Sequence, residues 1–411
     1  MDDCTALRWD VFCRVIDNHG DLGVCWRFAS GLARRGHAVR LWVDDASALT
    51  WMAPHGHPGV QLRAWADPQA DDDPGDVVVE AFACDPPARF VERMAARATS
   101  GASAPIWLNL EYLSAEPYVE RSHGLASPQF DGPGRGLTKW FWFPGFTPRT
   151  GGLMRDAADL IDPPDQGAER NAALQLAGLD PLKVSPAARL ALLFCYDNPA
   201  LPALLDTLRD VVTPWCLLVT PGLATSAVQR WLTRQDGLAA PAPPSAAGRA
   251  IQVGALTLAW LPAVEQPHFD RLLRACDLNF VRGEDSFVRA HWAGRPFIWQ
   301  AYVQDDGAHH AKVDAWLQVW AAASPTALRE GLAAVHAHWN NSPSLSDVAV
   351  QACWRQLLGR RDDETEANSP WLAWQAWARH RRGELALQDG LHTQLLHFVA
   401  ARVGKTPQRV A

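Results

Sequence analysis

"WDVFCRVIDNHGDLGVCWRFASGLARRGHAVRLWVDD", Trp9 to Asp45, holds two apolar runs separated by a turn and an amphipathic segment. Trp9 to Asp17 is rich in β-branched and aromatic side chains, the composition of a buried strand. After an Asn-His-Gly turn, Val24, Phe28 and Leu32 recur on one face of a helix that stops at Gly36. "HAVRLWVDD" is then a second strand. Strand, helix and strand over so short a span predict a right-handed βαβ unit with parallel strands.

Working outward, "DVVVEAFAC" (76–84) and "APIWLNLEYL" (104–113) read as further strands of a first α/β domain. A second series opens with the strand "ARLALLFCYD" (188–197) and the helix "ALPALLDTLRDV" (200–211). It continues through "PWCLLVTPG", "TSAVQRWLTRQ", "ALTLAWLP", "PHFDRLLRACD", "LNFV", "SFVRAHWAG" and "PFIWQAY" as alternating strands and helices. The expected division is a first domain over 1–160, a Pro-rich charged linker over 161–186 and a second domain over 187–369. Helices in 370–411 are expected to pack back on the first domain, and the Ala/Pro-rich 237–250 to form a surface excursion. Two doubly wound domains bind ligands at the carboxyl ends of their strands, so the function is expected in a cleft between those ends.

Composition narrows the classes. The 411 residues carry a formal charge of -7, which leaves no basic field for nonspecific nucleic-acid binding. No apolar run approaches the roughly 20 residues needed to span a bilayer, and the start "MDDCTALRWD" is unlike a signal peptide. The expectation is a cytoplasmic protein with no membrane partner. The 8 cysteines form no Cys-x-x-Cys pair and read as reduced core thiols. The 20 Trp, beside only 4 Tyr, fall at helix and strand spacings and read as core filler.

The first turn holds Asp17, Asn18, Gly20, Asp21 and Gly23, but no G-x-G-x-x-G and no G-K-[ST]. Its two carboxylates would repel a diphosphate. They cap the helix start, or they draw a cation into the cleft and hold a base beside it. The turn "RGEDS" in the second half has the opposite chemistry. Gly283 permits a tight turn, Arg282 offers a fixed positive charge, and Glu284, Asp285 and Ser286 lead into a helix whose N–H groups can take a diphosphate. The plainer alternative is a capped helix with Arg282 paired to Glu284 or Asp285. The pairs His55/His57 and His309/His310 lack further ligands at a recognisable spacing, so no metal or cofactor is expected.

Four stretches carry a resemblance: "FCRVIDNHGDLGVCWRFASGLARRGHAVRLWVDD", "NLEYLSAEPYVE", "PHFDRLLRACDLNFVRGEDSFVRAHWAGRPFIW" and "YVQDDGAHHAKVDAWL". Together they resemble the EarP family, bacterial arginine rhamnosyltransferases that modify elongation factor P. The resemblance implies an α/β GT-B fold, two Rossmann-like doubly wound domains facing across a cleft. It implies inverting, metal-independent transfer of L-rhamnose from dTDP-β-L-rhamnose to a loop-tip arginine. By motif, Asp21 matches the catalytic carboxylate, Asp17 its companion, and Glu284 a carboxylate near the reacting centre. Arg282, Gly283, Asp285 and Ser286 match the donor loop. Phe194, Tyr196, Gln266 and Tyr302 match positions assigned to nucleotide and sugar, and His309 is a further candidate for touching the donor. The competing readings are a GT-B enzyme with a small-molecule acceptor, a nucleotide-sugar epimerase, and a noncatalytic nucleotide-binding partner module.

Overall fold

The computed structural model describes residues 6–16, 19–65, 73–100, 103–235, 250–342, 346–359 and 369–403. Asp17, Asn18 and most of the Ala/Pro-rich stretch lie outside them. The chain divides into two compact units, 1–157 with 386–411, and 158–385.

In the first unit the strands are β1 (Arg8–Cys13), β2 (Ala38–Val43), β3 (Val60–Ala64), β4 (Val77–Ala81), β5 (Ile106–Leu110), β6 (Ala126–Pro128) and β7 (Thr138–Trp142). They form one sheet in the order β3-β2-β1-β4-β5-β7-β6, parallel except for β6. The order reverses between β1 and β4, the switch point of a doubly wound sheet. Helices α1 (Gly20–Ala33), α2 (Leu49–Met52), α3 (Ala88–Thr99) and α4 (Pro117–Ser122) belong to this unit. Phe28 and Leu32 of α1 join Trp9, Val11 and Leu41 in one apolar core, as their spacing predicts.

The expected strand over 9–17 ends early, at Cys13. Val15 N–H donates to the Asp44 carboxylate at 3.0 Å and Ile16 N–H to Asp21 at 2.8 Å, so side chains take the backbone donors that a longer strand would give its neighbour. Within β1 sits a fully buried Asp10. It accepts from Arg40 Nε and Nη2 at 2.6 and 2.7 Å, from Trp42 Nε1 at 2.8 Å and from Gly75 N–H at 2.7 Å. A buried carboxylate is tolerated only with such full pairing.

In the second unit β8 (Arg189–Leu193), β9 (Trp215–Val219), β10 (Ile251–Val253), β11 (Leu256–Trp260), β12 (Leu278–Arg282) and β13 (Phe297–Gln300) form a sheet in the order β10-β11-β9-β8-β12-β13. Only the edge strand β10 is antiparallel, and the switch point lies between β8 and β12. The helices are α5 (Gln166–Leu176), α6 (Leu201–Asp210), α7 (Leu223–Leu232), α8 (Gln266–Ala275), α9 (Asp285–Ala293), α10 (Ala308–Trp320), α11 (Thr326–Trp339), α12 (Asp347–Leu358) and α13 (Pro370–Ala386).

Two expected boundaries are corrected. Residues 161–186 are not a linker: α5 is docked on α8 through Glu169 and Arg271 at 3.0 and 3.1 Å, and Arg170 donates to Ala188 O at 2.6 Å. Just upstream, Asp159 is buried against Arg289 of α9, whose Nη1 donates to it at 2.7 Å. The tail is also divided. Trp371 of α13 packs edge-on against Trp215 with Arg189 over its face, and Trp377 Nε1 donates to Trp320 O at 3.1 Å, which fixes α13 in the second unit. Among the described residues of the tail, α14 (Leu391–Ala400) is the helix that returns to the first core, inserting Leu391, Leu395 and Val399.

Candidate functional site

The second unit gathers its candidates around the β8/β12 switch point. Arg282, the last residue of β12, lies between two aromatic rings, 4.5 Å from the centroid of Phe194 and 4.4 Å from that of Tyr196. Both rings leave the end of β8, the neighbouring strand. Such a sandwich fixes the guanidinium plane and favours Arg over Lys. Its Nη1 is buried and donates to nothing among the described residues. Gly283 turns the chain with φ of +57°, a conformation that suits glycine. Its N–H donates to Gln300 O at 3.1 Å and its carbonyl accepts from Trp299 Nε1 at 2.7 Å. The corner is therefore held by backbone and indole before any ligand arrives.

Helix α9 begins at this corner and brings the positive end of its dipole there. The Ser286 hydroxyl donates to Arg282 O at 2.5 Å and accepts Arg282 N–H at 3.0 Å, which locks the turn. Asp285 accepts from Gln266 Nε2 at 3.3 Å, which joins the start of α8 to that of α9. Tyr302 is exposed, its ring 5.7 Å from that of Tyr196.

Glu284 takes a lysine as its partner where the plainer sequence alternative paired it with Arg282. Its Oε1 accepts from Lys312 Nζ of α10 at 2.8 Å. Sequence reasoning missed Lys312. The available signal was rarity: only four of the 38 basic side chains are Lys, and this one lies in a stretch that carries the resemblance. Gln300 was missed too; fully buried, it accepts Tyr196 N–H at 2.9 Å and sets that ring's position. His309 is buried as a loop fastener, its Nδ1 accepting Gln304 N–H at 3.2 Å.

In the first unit, Asp21 is buried in the first turn of α1 and takes Ile16 N–H. Gly20 opens the helix, and Gly23 N–H donates to His19 O at 2.9 Å. His19 is exposed, its ring edge-on to Trp51 at 5.3 Å. Asp21 thus sits beside the β1/β4 switch point, as the doubly wound reading requires. A separate cavity of about 890 Å³ lies at the amino ends of the same strands, lined by Arg8, Ala38 and Arg97. Two of its arginines, Arg8 and Arg97, donate to Pro74 O at 2.8 Å, while Nε and Nη2 of a third, Arg93, are buried with no acceptor among the described residues.

Comparison with known proteins bears on the family and the fold. The sequence model of a family described as "Elongation-Factor P (EF-P) rhamnosyltransferase EarP" matches residues 9–400. A Pseudomonas putida protein named protein-arginine rhamnosyltransferase is 43% identical over 402 residues, 95% of this chain and 98% of its own. A Pseudomonas aeruginosa protein of the same name is 39% identical over 401 residues, with the same shares. A solved structure described as "Structural basis for EarP-mediated arginine glycosylation of translation elongation factor EF-P" is similar with TM-score 0.62 at 30% identity, covering 97% of this chain and 100% of that one. A glycosyltransferase from Rickettsia africae, at 8% identity and TM-score 0.51 over 98% of this chain and 100% of its own, shares the fold alone. The two doubly wound units are those of a GT-B glycosyltransferase, and the chain belongs to the EarP family of protein-arginine rhamnosyltransferases.

Proposed function

We propose that the protein moves L-rhamnose from dTDP-β-L-rhamnose to an arginine at a loop tip of elongation factor P, in one inverting displacement that uses no metal. The observation that supports it most is Arg282, clamped between Phe194 and Tyr196 with a buried, unspent donor at the start of α9. That is a ready seat for a diphosphate. The rings beside it suit a nucleotide and a sugar, and Gln266, Asp285 and Tyr302 border the same corner. Charge on the departing dTDP is met by Arg282 and the helix dipole, the duty that a divalent cation performs in other transferases.

The acceptor side follows from the chemistry of arginine. A guanidinium stays protonated at physiological pH, its pKa above about 12, so it is a poor nucleophile until anions orient it. Asp21, with Asp17 as its companion, supplies those anions. As a guanidinium nitrogen bonds to the anomeric carbon, the carbon–oxygen bond to dTDP breaks and the electron pair leaves with the diphosphate. The nitrogen becomes acidic and its proton passes to Asp21. Glu284, whose Oε1 is held by Lys312, is assigned to the donor side of the reaction. An acceptor that is a translation factor places the work in the cytoplasm; among the described residues no helix is long and apolar enough to cross a membrane.

Intact-mass measurement tests the reading. Incubation with dTDP-rhamnose and elongation factor P is expected to add one deoxyhexose to the factor, and an α-linked product by NMR would report inversion. No addition to the folded factor, with transfer to a small acceptor instead, would overturn it.

A further inference from the structure

The stretch "NLEYL", 109–113, carries part of the family resemblance, yet no step above uses it. It leaves β5 beside an unusual feature at the end of β4. Phe82 and Ala83, neither of them glycine, are both left-handed, with φ of 58° and 57°. Adjacent residues in that region persist only where their surroundings hold them, and they cluster at binding sites. Here Phe82 N–H donates to Leu110 O at 2.7 Å and Ala83 N–H to Asn109 Oδ1 at 3.1 Å. Asn109 is 2% exposed, and its Nδ2 donates to Glu111 Oε1 at 2.7 Å. One buried amide therefore ties the kink to a carboxylate.

The kink lays the Phe82 ring flat on Tyr112, with centroids 4.3 Å apart and planes within 13°. Tyr112 is 38% exposed. An aromatic pair buried for packing alone would not stand half in water, and Glu111, the residue before Tyr112, is tied to the same kink through Asn109. A planar cation uses both features, stacking on the ring face while its N–H groups reach the carboxylate. The location also fits: β4 is the neighbour of β1 across the switch point, and Asp21 follows β1. We propose that Tyr112, backed by Phe82, and Glu111 seat the guanidinium of the acceptor arginine, leaving Asp21 to take its proton. This rests on the arginine-transfer reading above.

Steady-state kinetics with elongation factor P as the varied substrate test it, alongside calorimetric binding of dTDP to each variant. Tyr112→Leu keeps apolar bulk but removes the ring face, so the acceptor KM is expected to rise about threefold to thirtyfold. Donor affinity should match the unaltered enzyme, and Tyr112→Trp should restore a low acceptor KM. Glu111→Gln is expected to raise the acceptor KM as well. An unchanged acceptor KM in both Tyr112→Leu and Glu111→Gln would overturn the seat while leaving the transferase reading intact. Loss of dTDP binding in Tyr112→Leu would overturn it too, since the ring would then serve the donor or the fold. If the unaltered enzyme transfers nothing to the factor, the parent reading fails and the seat with it.

Discussion

At the scale of single side chains the proposed reaction gives Asp21 the acceptor and Arg282 the donor, and each can be changed within its own unit. Asp21→Asn keeps an acceptor for Ile16 N–H but loses the charge and the proton-accepting oxygen. Turnover is expected to fall by about a hundredfold or more with dTDP affinity unchanged, read by single-turnover mass spectrometry and calorimetry. Arg282→Ala should do the reverse, weakening dTDP binding about tenfold or more, because it removes both the cation and the stack between Phe194 and Tyr196. Arg282→Lys should recover only part of that loss, since an ammonium neither stacks nor forks. Asp10 is the structural counterpart. Asp10→Ala would leave Arg40 buried beside an absent partner and is expected to cost about 3–5 kcal/mol in urea denaturation, although it touches no substrate. Unaltered stability would mean that water replaces the lost carboxylate.

Helices assigned alike by periodicity differ in what they are packed against. Gly31 of α1 lies under α14: a Cβ there would meet the His392 ring at 2.4 Å. That ring cannot yield, because it stacks on Phe28 with centroids 5.4 Å apart and its Nε2 bonds Phe28 O at 3.0 Å. Gly31→Ala is therefore expected to destabilise by about 1–3 kcal/mol. Gly383 on α13 is the contrasting case, where an added Cβ meets nothing within 4 Å. Gly383→Ala should stabilise by about 0.4–1 kcal/mol through the unfolded chain, and thermal melts of the two variants should move in opposite directions. Two glycines inside helices thus give opposite signs, a difference that helical periodicity does not contain.

Acid sensitivity belongs to the whole molecule. Burial pushes His123, His336 and His392 down to about 4 and His291 to about 3, two of the four in each unit. A group held neutral in the fold but free to protonate when unfolded stabilises above its ordinary value near 6.5, and loses that contribution as pH falls toward the folded value. Each supplies up to about 1.4 kcal/mol per pH unit in that window. Glu80 pulls the other way: burial raises it to about 7 against the opposing pull of Lys139, so its contribution grows as pH falls toward the usual carboxylate range. Four imidazoles outweigh one carboxyl, and stability by chemical denaturation is expected to drop by several kcal/mol between about pH 7 and about pH 5. Equal stability at both would show that the buried rings carry their protons in the fold. At this scale the local pattern was enough for two doubly wound units and for the charge contrast between Asp21 and the Arg282 turn. Period-two and helical spacing, with Gly at the turns, report directly on backbone conformation, and those features are local. The strands β3, β6 and β7 escaped it because their side chains are mostly half-exposed or exposed and form no clean apolar run. Contacts distant in sequence decided the rest. The carboxylates of Asp44 and Asp21 end β1, Arg289 and Arg271 draw 158–176 into the second unit, and Trp215 and Trp320 keep α13 there while α14 returns to the first. Lys312 reaches Glu284 across 28 positions, and Asn109 reaches Ala83 across 26. Partnership of that kind depends on where the folded chain brings two side chains together, which no window of neighbouring residues encodes.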